Sequence, residues 1–267
     1  MKICLNGRMT DKIPDFISGA GLFYGYGLFE TVKITDKNPV FIKEHYQRLK
    51  KSSAFLKLKL DMPLPEFIEN SRKLININKI RAGTLKILFF KGAKQNHILI
   101  NTDLKIYDPE KYKYGLAIKF SEGIKNEKSL LAGHKTLNYL ENILEKTTAL
   151  KEGFDDALFL NGRGNIAETT CANIFFINKN KIYTPSLESG ILPGIVREKI
   201  LYIAKQKNIP LKEGCFSKDE LMKAEAVFLT NSLMGVMPVK SIDDKKFKLD
   251  NEIYRRVGSG YMQFLKA

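Results

Sequence analysis

The sequence predicts a mixed α/β protein with two domains. Segments that alternate as strands do are followed along the chain by segments with helical spacing. The length of 267 residues suffices for one large core or two small ones. The stretch Tyr112–Gly115 is interpreted as a crossing between domains, because the strand Leu116–Phe120 opens a new series of elements. We therefore place the domains at residues 1–115 and 116–267.

The composition is that of a globular protein with an unusual charge. The hydrophobic share of 44% and the charged share of 27% are ordinary, whereas the formal net charge of +15 is high. Such a charge fits either a nucleic-acid or anionic-membrane partner, or an anionic cofactor or substrate. The lysines are spread along the chain, and no known nucleic-acid-binding motif accompanies them. We therefore favour a small anionic ligand over nucleic acid, and expect no membrane association because no apolar run is long enough to cross a bilayer.

The cysteines and histidines show no metal-binding pattern. Cys4, Cys171 and Cys215 lack the spacing of metal ligands and are odd in number. The histidines are scattered, at positions 45, 97 and 134. No export signal is recognised at the start of the sequence, so a cytoplasmic protein without a metal centre is expected.

The first elements are expected to be strands. Met1–Leu5 alternates as a strand, and Asn6-Gly7 is a preferred two-residue turn. A mobile-looking stretch at Ser18–Gly21 precedes a strand at residues 25–34, which is expected to pair with Val40–Ile42. The predicted solvated face of the long strand is formed by Phe29, Thr31 and Lys33.

Two helices and two strands are expected next. The helix Lys43–Leu56 contains Arg48, which is either a solvated surface residue or a bidentate phosphate ligand. A second helix at Pro65–Asn76 precedes strands at Gly83–Phe90 and His97–Thr102.

The centre of the sequence places a lysine directly before a helix. The helix is predicted from residues at helical spacing, and Gly153 ends it. These residues are Leu137, Leu140, Ile143, Leu144 and Thr148. The lysine, Lys135, is either an ordinary surface residue or an amine that forms a Schiff base, if burial and nearby cations lower its pKa enough.

A hairpin follows this helix and carries a carboxylate. Asp156–Leu160 alternates as a strand, Asn161–Gly164 has strong turn chemistry, and Asn165–Thr170 returns with Glu168. If Lys135 and Glu168 face one cavity, they describe a pyridoxal phosphate site. In such a site the lysine binds the aldehyde, and the carboxylate keeps the pyridine nitrogen protonated.

A helix start further along the chain suits an anion. A helix is predicted to begin at Pro193–Val196 and to run to about Lys207. Free backbone N–H groups and the helix dipole make such a start a phosphate cradle, and the alternative is a simple capped helix after a loop. Ser217 and Glu220 predict a capping box at a later, short helix over Lys218–Ala224.

A strand at Ala226–Thr230 ends in two polar residues, Asn231 and Ser232. The Ser232 hydroxyl is either satisfied within the loop or a further phosphate ligand.

Five motifs in this order resemble the class IV pyridoxal phosphate enzymes. That family includes branched-chain aminotransferases, D-amino acid aminotransferases and 4-amino-4-deoxychorismate lyases. The resemblance covers nearly the whole chain and rests on EHYQRL, AGHKTLNYLEN, NIAETTCANIFF, TPSLESGILPGIVRE and AEAVFLTNSLMGVMPV.

The resemblance implies a fold type IV enzyme with pyridoxal 5′-phosphate between its two domains. Lys135, in the C-terminal domain, would be the Schiff-base lysine, and Glu168 would bond the pyridine nitrogen. A homodimer and a small-molecule substrate are expected. The phosphate would be held by Arg48, the backbone N–H groups of Ile195 and Val196, and the Ser232 side chain, with Asn231 beside the phosphate or the substrate.

Within the family, the sequence favours the lyase, which converts 4-amino-4-deoxychorismate to 4-aminobenzoate and pyruvate in folate biosynthesis. The observations are KTLNYLEN after the lysine, NSLMGVMPV, and the compact length. Thr31 is the candidate hydroxyl that assists the leaving group, or else an ordinary strand threonine. The alternative is an aminotransferase acting on branched-chain or D-amino acids.

Two departures bear on that alternative. Branched-chain enzymes commonly place a tyrosine five positions after the lysine, where this chain has Leu140, while Tyr139 lies four positions after it. D-amino acid aminotransferases hold the substrate carboxylate with an arginine and a histidine in the loop after the strand at residues 84–90. The corresponding KGAKQNHIL keeps His97 but has no arginine.

Overall fold

The computed structural model describes residues 2–11, 24–92, 95–104 and 106–266. The chain divides into two compact units, and the fold class is mixed α/β as predicted. The first unit runs to Ile106 and includes His134–Tyr139; the second comprises Tyr107–Gly133 and Leu140–Ala267. The predicted mobile stretch at Ser18–Gly21 lies outside the described residues.

In the described part of the first unit, six strands form one sheet in the order β2-β1-β6-β5-β3-β4. Two helices, α1 (Ile42–Phe55) and α2 (Leu64–Ile77), belong to the same unit. The strands are β1 (Ile3–Leu5), β2 (Arg8–Thr10), β3 (Gly27–Thr35), β4 (Asn38–Pro39), β5 (Gly83–Lys91) and β6 (Asn96–Asp103).

The sheet follows local turn chemistry where the connections are short. Asn6 and Gly7 both have positive φ, 50° and 80°, and Leu5 pairs with Arg8, as the two-residue hairpin predicts. The predicted hairpin after β3 is shorter than expected, because Val40 lies in a turn and Ile42 already begins α1. The long partner of β3 is β5, which pairs with it from Gly27 to Ile34.

Strand β3 alternates in burial as predicted. Leu28, Glu30, Val32 and Ile34 are buried, whereas the residues between them are half-exposed. Buried side chains of β3 and α1, among them Val32 and Leu49, share one apolar core with α2. A charged residue, Glu30, therefore sits on a strand face that is otherwise apolar.

The segment His134–Tyr139 joins the first unit by hydrogen bonds to β3. The Phe29 N–H donates to the Lys135 carbonyl at 2.9 Å, and the Leu137 N–H donates to the Gly27 carbonyl at 3.0 Å. The observed units therefore divide after Ile106, and Lys135 lies in the first of them, whereas the sequence-based boundary after residue 115 assigned it to the C-terminal domain. Hydrogen bonding to a strand distant in sequence places Lys135 in the first unit. The spacing of the residues around Lys135 does not predict that pairing.

The described strands of the second unit form one sheet in the order β12-β11-β10-β13-β14-β7-β8-β9, with β15 on β14. Neighbouring β7 and β8 are parallel, and α4 lies between them in the chain. The strands are β7 (Leu116–Lys125), β8 (Asp156–Asn161), β9 (Ile166–Thr169), β10 (Asn173–Asn178), β11 (Lys181–Pro185), β12 (Leu211–Gly214), β13 (Ala226–Asn231), β14 (Gly235–Ile242) and β15 (Lys245–Lys246). The helices are α3 (Pro109–Tyr114), α4 (Leu140–Lys151), α5 (Ile195–Gln206), α6 (Lys218–Met222) and α7 (Glu252–Lys266).

Several local predictions for this unit are confirmed. The hairpin of β8 and β9 forms around Asn161, whose side-chain oxygen accepts from the N–H groups of Arg163 and Asn165. The capping box at α6 has both of its hydrogen bonds, between Ser217 and Glu220.

The apolar stripe of α4 is not used inside the unit. Helical spacing correctly predicts the helix, but Leu140, Ile143 and Leu144 are 68%, 53% and 58% exposed. The buried residues of α4 are Asn142 and Ala149. No helix in the described ranges is both long and apolar enough to span a bilayer.

Candidate active site

The amine of Lys135 lies against two aromatic rings. Its Nζ is 4.1 Å from the centroid of Phe29 and 5.1 Å from that of Tyr139, and the two rings meet edge to face. Aromatic faces attract an ammonium group, and their bulk keeps water from the sides that they cover. Tyr139, rather than Leu140, is thus the residue beside the lysine.

Contacts of the preceding residue, His134, also fix the position of Lys135. The His134 ring stacks on Phe55 of α1 with centroids 4.2 Å apart, and its Nδ1 is 2.9 Å from the Ser52 hydroxyl. Burial lowers the pKa of His134 below its ordinary value, and the charge of Lys51 adds to this. A neutral, stacked ring beside α1 therefore anchors the backbone at the lysine.

Thr31 lies on the half-exposed face of β3, two residues from Phe29. It pairs with Lys86 of β5. Because side chains two apart on a strand share a face, Thr31 lies on the side of the sheet that carries the Phe29 ring. The first unit thus places the predicted hydroxyl on the face where the lysine amine contacts Phe29.

His97 stacks on Phe90 with ring centroids 5.4 Å apart, and its Nδ1 is 3.4 Å from the Asn6 side-chain nitrogen. Those contacts hold His97 within the sheet of the first unit.

Arg48 is bound to a buried carboxylate. Its Nε and Nη2 donate to the two oxygens of Glu30 at 2.8 and 2.6 Å. His45, fully buried, places Nδ1 2.7 Å from the same carboxylate. The predicted phosphate contact of Arg48 stays a prediction, and the structure adds a triad that orients its guanidinium.

Opposing effects set the charges of this triad. Burial raises the pKa of Glu30, but the charge of Arg48 and the hydrogen bonds from Arg48 and His45 outweigh it and lower that pKa to about 2. Burial lowers the pKa of His45, with Glu30 acting against it. We infer an ionised Glu30 and a neutral His45 that donates its Nδ1–H to the carboxylate.

Sequence reasoning overlooked Glu30 and His45, although two signals were present. Glu30 occupies a buried position in an alternating strand, and a buried acid requires a cation. His45 and Arg48 are three residues apart on one helix and therefore share a side.

Glu168 lies in β9 of the second unit, and its carboxylate is surrounded by donors. Oε2 accepts from the Leu192 N–H at 2.9 Å and from Asn173 Nδ2 at 3.4 Å. Oε1 is 3.0 Å from Lys125 Nζ. Neither residue was identified from the sequence: Lys125 is distant from Glu168 along the chain, and Asn173, five residues after it, reaches it from the next strand.

Asn173 also ties Glu168 to the start of α5. Its Nδ2 donates to the Leu192 carbonyl at 2.9 Å. A Cβ on Gly194 would lie 2.0 Å from Asn173 Oδ1, so only glycine fits there. The first helical hydrogen bond joins the Glu198 N–H to the Gly194 carbonyl, so the N–H groups of Ile195 and Val196 precede the helical ladder.

The side chain of Asn231 shapes the turn that contains Ser232. Its Oδ1 accepts from the N–H groups of Leu233 and Met234 at 3.0 and 2.9 Å. Its Nδ2 donates to the Cys171 carbonyl at 3.2 Å and lies 3.2 Å from the Tyr107 hydroxyl. Asn231 therefore holds the turn, and its predicted place beside a phosphate or substrate stays a prediction.

Within the second unit, the pairing of β10 with β13 brings Asn173 next to the strand end that leads into the Ser232 turn. Asn173 pairs with Thr230, which directly precedes Asn231 and Ser232. The Thr230 hydroxyl is buried and has no hydrogen-bond partner within the described part of the chain. The free N–H groups of a helix start are suited to a phosphate.

The available groups fit pyridoxal phosphate chemically. The first unit supplies a half-buried amine against aromatic faces and an oriented arginine. The second supplies a carboxylate with three donors and a helix start. These match an aldehyde, a phosphate and a ring nitrogen.

Replacing Glu30 by Gln is expected to destabilise the protein by about 3 kcal/mol at neutral pH, because Arg48 loses its buried counter-charge. The folded pKa of about 2 lies below the ordinary 4.5, so the contribution of Glu30 is complete above pH 4.5 and is lost as the pH falls towards 2. Urea unfolding at several pH values measures this.

The difference between wild type and Glu30→Gln should therefore shrink with acid. Glu69→Gln, at an exposed position of α2, serves as the control and should change little. A difference that is constant with pH would contradict an ionised, paired Glu30.

Comparison with known proteins identifies the family. Residues 27–242 match the model of the amino-transferase class IV family. A candidate branched-chain-amino-acid aminotransferase from Aquifex aeolicus is 30% identical, with 90% of this chain and 81% of the relative covered. The D-alanine aminotransferase of Staphylococcus aureus is 29% identical, with 100% and 98% covered. A solved structure of a candidate 4-amino-4-deoxychorismate lyase from Legionella pneumophila is 29% identical at a TM-score of 0.85, with 94% and 98% covered. The chain therefore belongs to the class IV aminotransferase family of pyridoxal 5′-phosphate enzymes.

Proposed function

We propose that this protein is a lyase that converts 4-amino-4-deoxychorismate to 4-aminobenzoate and pyruvate, a step of folate biosynthesis. The observation that carries the proposal is Thr31, a hydroxyl on the strand face that carries the aromatic contact of Lys135. The similarity to the Legionella pneumophila protein over nearly both chains supports it.

In this proposal Lys135 is the catalytic lysine and Glu168 accepts the hydrogen bond of the cofactor's ring nitrogen. Pyridoxal phosphate supplies an aldehyde that captures the substrate amine and a ring that withdraws electrons. Lys135 then removes the proton from the amine-bearing carbon as general base. Thr31 donates a proton to the enolpyruvyl oxygen as its bond to the ring carbon breaks, and the product ring becomes aromatic.

The phosphate group is assigned to four residues in the same proposal. Arg48, the N–H groups of Ile195 and Val196, and Ser232 bind it, and Asn231 lies next to it or to the substrate. The Glu30 carboxylate supports this assignment because it fixes the plane of the Arg48 guanidinium through two hydrogen bonds.

An aminotransferase is the second candidate, and a specific contact favours it. The Tyr139 ring lies beside Lys135 Nζ. Tyr139 is four positions after the lysine, whereas branched-chain enzymes commonly have their tyrosine five positions after it. The relatives from Aquifex aeolicus and Staphylococcus aureus also support it. Such an enzyme shares the lysine and carboxylate but needs a keto-acid acceptor.

A homodimer is proposed from the exposed face of α4. Leu140, Ile143 and Leu144 form an apolar stripe on this helix, and Leu130 in the same unit is 82% exposed. A patch of this kind marks an interface more often than a free surface. We also propose a cytoplasmic location, which the free thiols of the three cysteines suit.

Borohydride treatment of the protein with bound cofactor should attach the cofactor covalently to Lys135. Peptide mapping by mass spectrometry measures the position. Lys135→Ala should take up no label at this peptide, whereas Lys86→Ala should be labelled as wild type. Label on another lysine of the wild type would refute the assignment.

Incubation with 4-amino-4-deoxychorismate should release pyruvate without any keto acid, as a coupled dehydrogenase assay measures. Thr31→Val should lower kcat by about 100-fold or more, the usual contribution of a general acid, and Thr31→Ser should restore most of it. Thr35→Val changes a half-exposed threonine on the same strand and serves as the control. Turnover that requires an amino acid together with a keto acid would replace the lyase by the aminotransferase.

Leu144→Glu should convert a dimer into a monomer, because a buried unpaired charge opposes association. Sedimentation equilibrium measures the mass. Leu187→Glu, at another exposed leucine, should leave the dimer intact. A monomeric wild type would contradict the proposed interface.

A further inference from the structure

Lys125 and Glu168 form an ion pair inside the second unit. Lys125 is the last residue of β7, and its Nζ lies 3.0 Å from Glu168 Oε1. The side chains are 21% and 10% exposed, so water screens the pair only partly. Lys125 Nζ also lies 5.7 Å from the centroid of the buried Phe159 ring.

The donors of Glu168 differ in charge. The Leu192 N–H and the Asn173 amide, both on Oε2, are neutral. Within the described residues, Lys125 is the one cation that lies at ion-pair distance from this carboxylate. Lys125 therefore supplies the positive charge in direct contact with the Glu168 carboxylate.

We propose that Lys125 is a positioning residue whose charge, held against Glu168, keeps the proton shared with the cofactor's ring nitrogen on the ring. This inference rests on the proposed role of Glu168. The proton has two places, on the nitrogen next to a carboxylate or on the carboxylate next to a neutral ring. A cation in contact with Oε1 favours the first, because it attracts the negative charge of the carboxylate.

The position of this proton affects the cofactor, because a protonated ring withdraws electrons more strongly than a neutral one. Without Lys125, the described residues hold no positive charge against the carboxylate, and the ring loses its proton more readily. A lysine that the sequence presents as one of many basic residues thereby acts on the reacting centre through Glu168.

The test reads the ring proton directly. Apoprotein is reconstituted with pyridoxal phosphate labelled with ¹⁵N in the ring, and the ¹⁵N chemical shift is followed with pH. Wild type and Lys125→Arg are expected to show a protonated ring at neutral pH. In Lys125→Met the protonation equilibrium should move by about tenfold or more towards the neutral ring, equivalent to one pH unit.

Two reference variants separate this role from a structural one. Lys119→Met removes another paired lysine of β7, whose partner is Glu152, and should leave the ring shift as in wild type. Glu168→Gln removes the carboxylate and marks the shift of an unsupported ring. Thermal unfolding of each apoprotein shows whether the variant folds. If Lys125→Met does not fold, Lys125→Arg, which keeps the charge, is compared with wild type instead.

The outcomes are distinct. A ring protonated equally in wild type and Lys125→Met would overturn the role of Lys125 alone. A neutral ring in wild type would refute the role of Glu168 and with it this inference. Absence of pyruvate release, with the expected ring shifts intact, would refute only the proposed lyase reaction.

Discussion

Two backbone hydrogen bonds to β3 determine where Lys135 lies. The Phe29 N–H donates to the Lys135 carbonyl, and the Leu137 N–H donates to the Gly27 carbonyl. With the backbone fixed on both sides, only side-chain torsions remain to place the amine, and the rings of Phe29 and Tyr139 restrict those. Fixing the backbone beside a strand leaves the amine few conformations, so its ordering in the proposed reaction costs little entropy.

The buried carboxylates of Glu30 and Glu168 have different hydrogen-bonding and ionic partners. Glu30 is enclosed by Arg48 and His45, and the strong pairing keeps it ionised at any physiological pH. Among the described residues, Glu168 contacts one lysine and two neutral donors. The first arrangement suits a fixed structural charge that orients an arginine. The second surrounds a carboxylate mainly with neutral donors.

Reaction specificity within the family depends on small differences around a common centre. The lysine and the carboxylate serve a lyase and an aminotransferase alike, so neither distinguishes them. Thr31 and Tyr139 differ in what they offer: an aliphatic hydroxyl on a strand face, or a phenol beside the amine. Both residues lie in the first unit.

The sequence by itself determined several of the elements and the family. Hydrophobic periodicity, the Asn6-Gly7 turn and the Ser217–Glu220 capping box are local, so their physical causes lie within a few neighbouring residues. The order of five motifs identified the enzyme class. Only the tertiary structure decided that Lys135 joins the first unit, that Glu30 holds Arg48, that Lys125 pairs with Glu168, and that the stripe of α4 faces outward. Each of these depends on strand pairing or packing between residues distant along the chain, and spacing within a segment does not specify which distant partner is met.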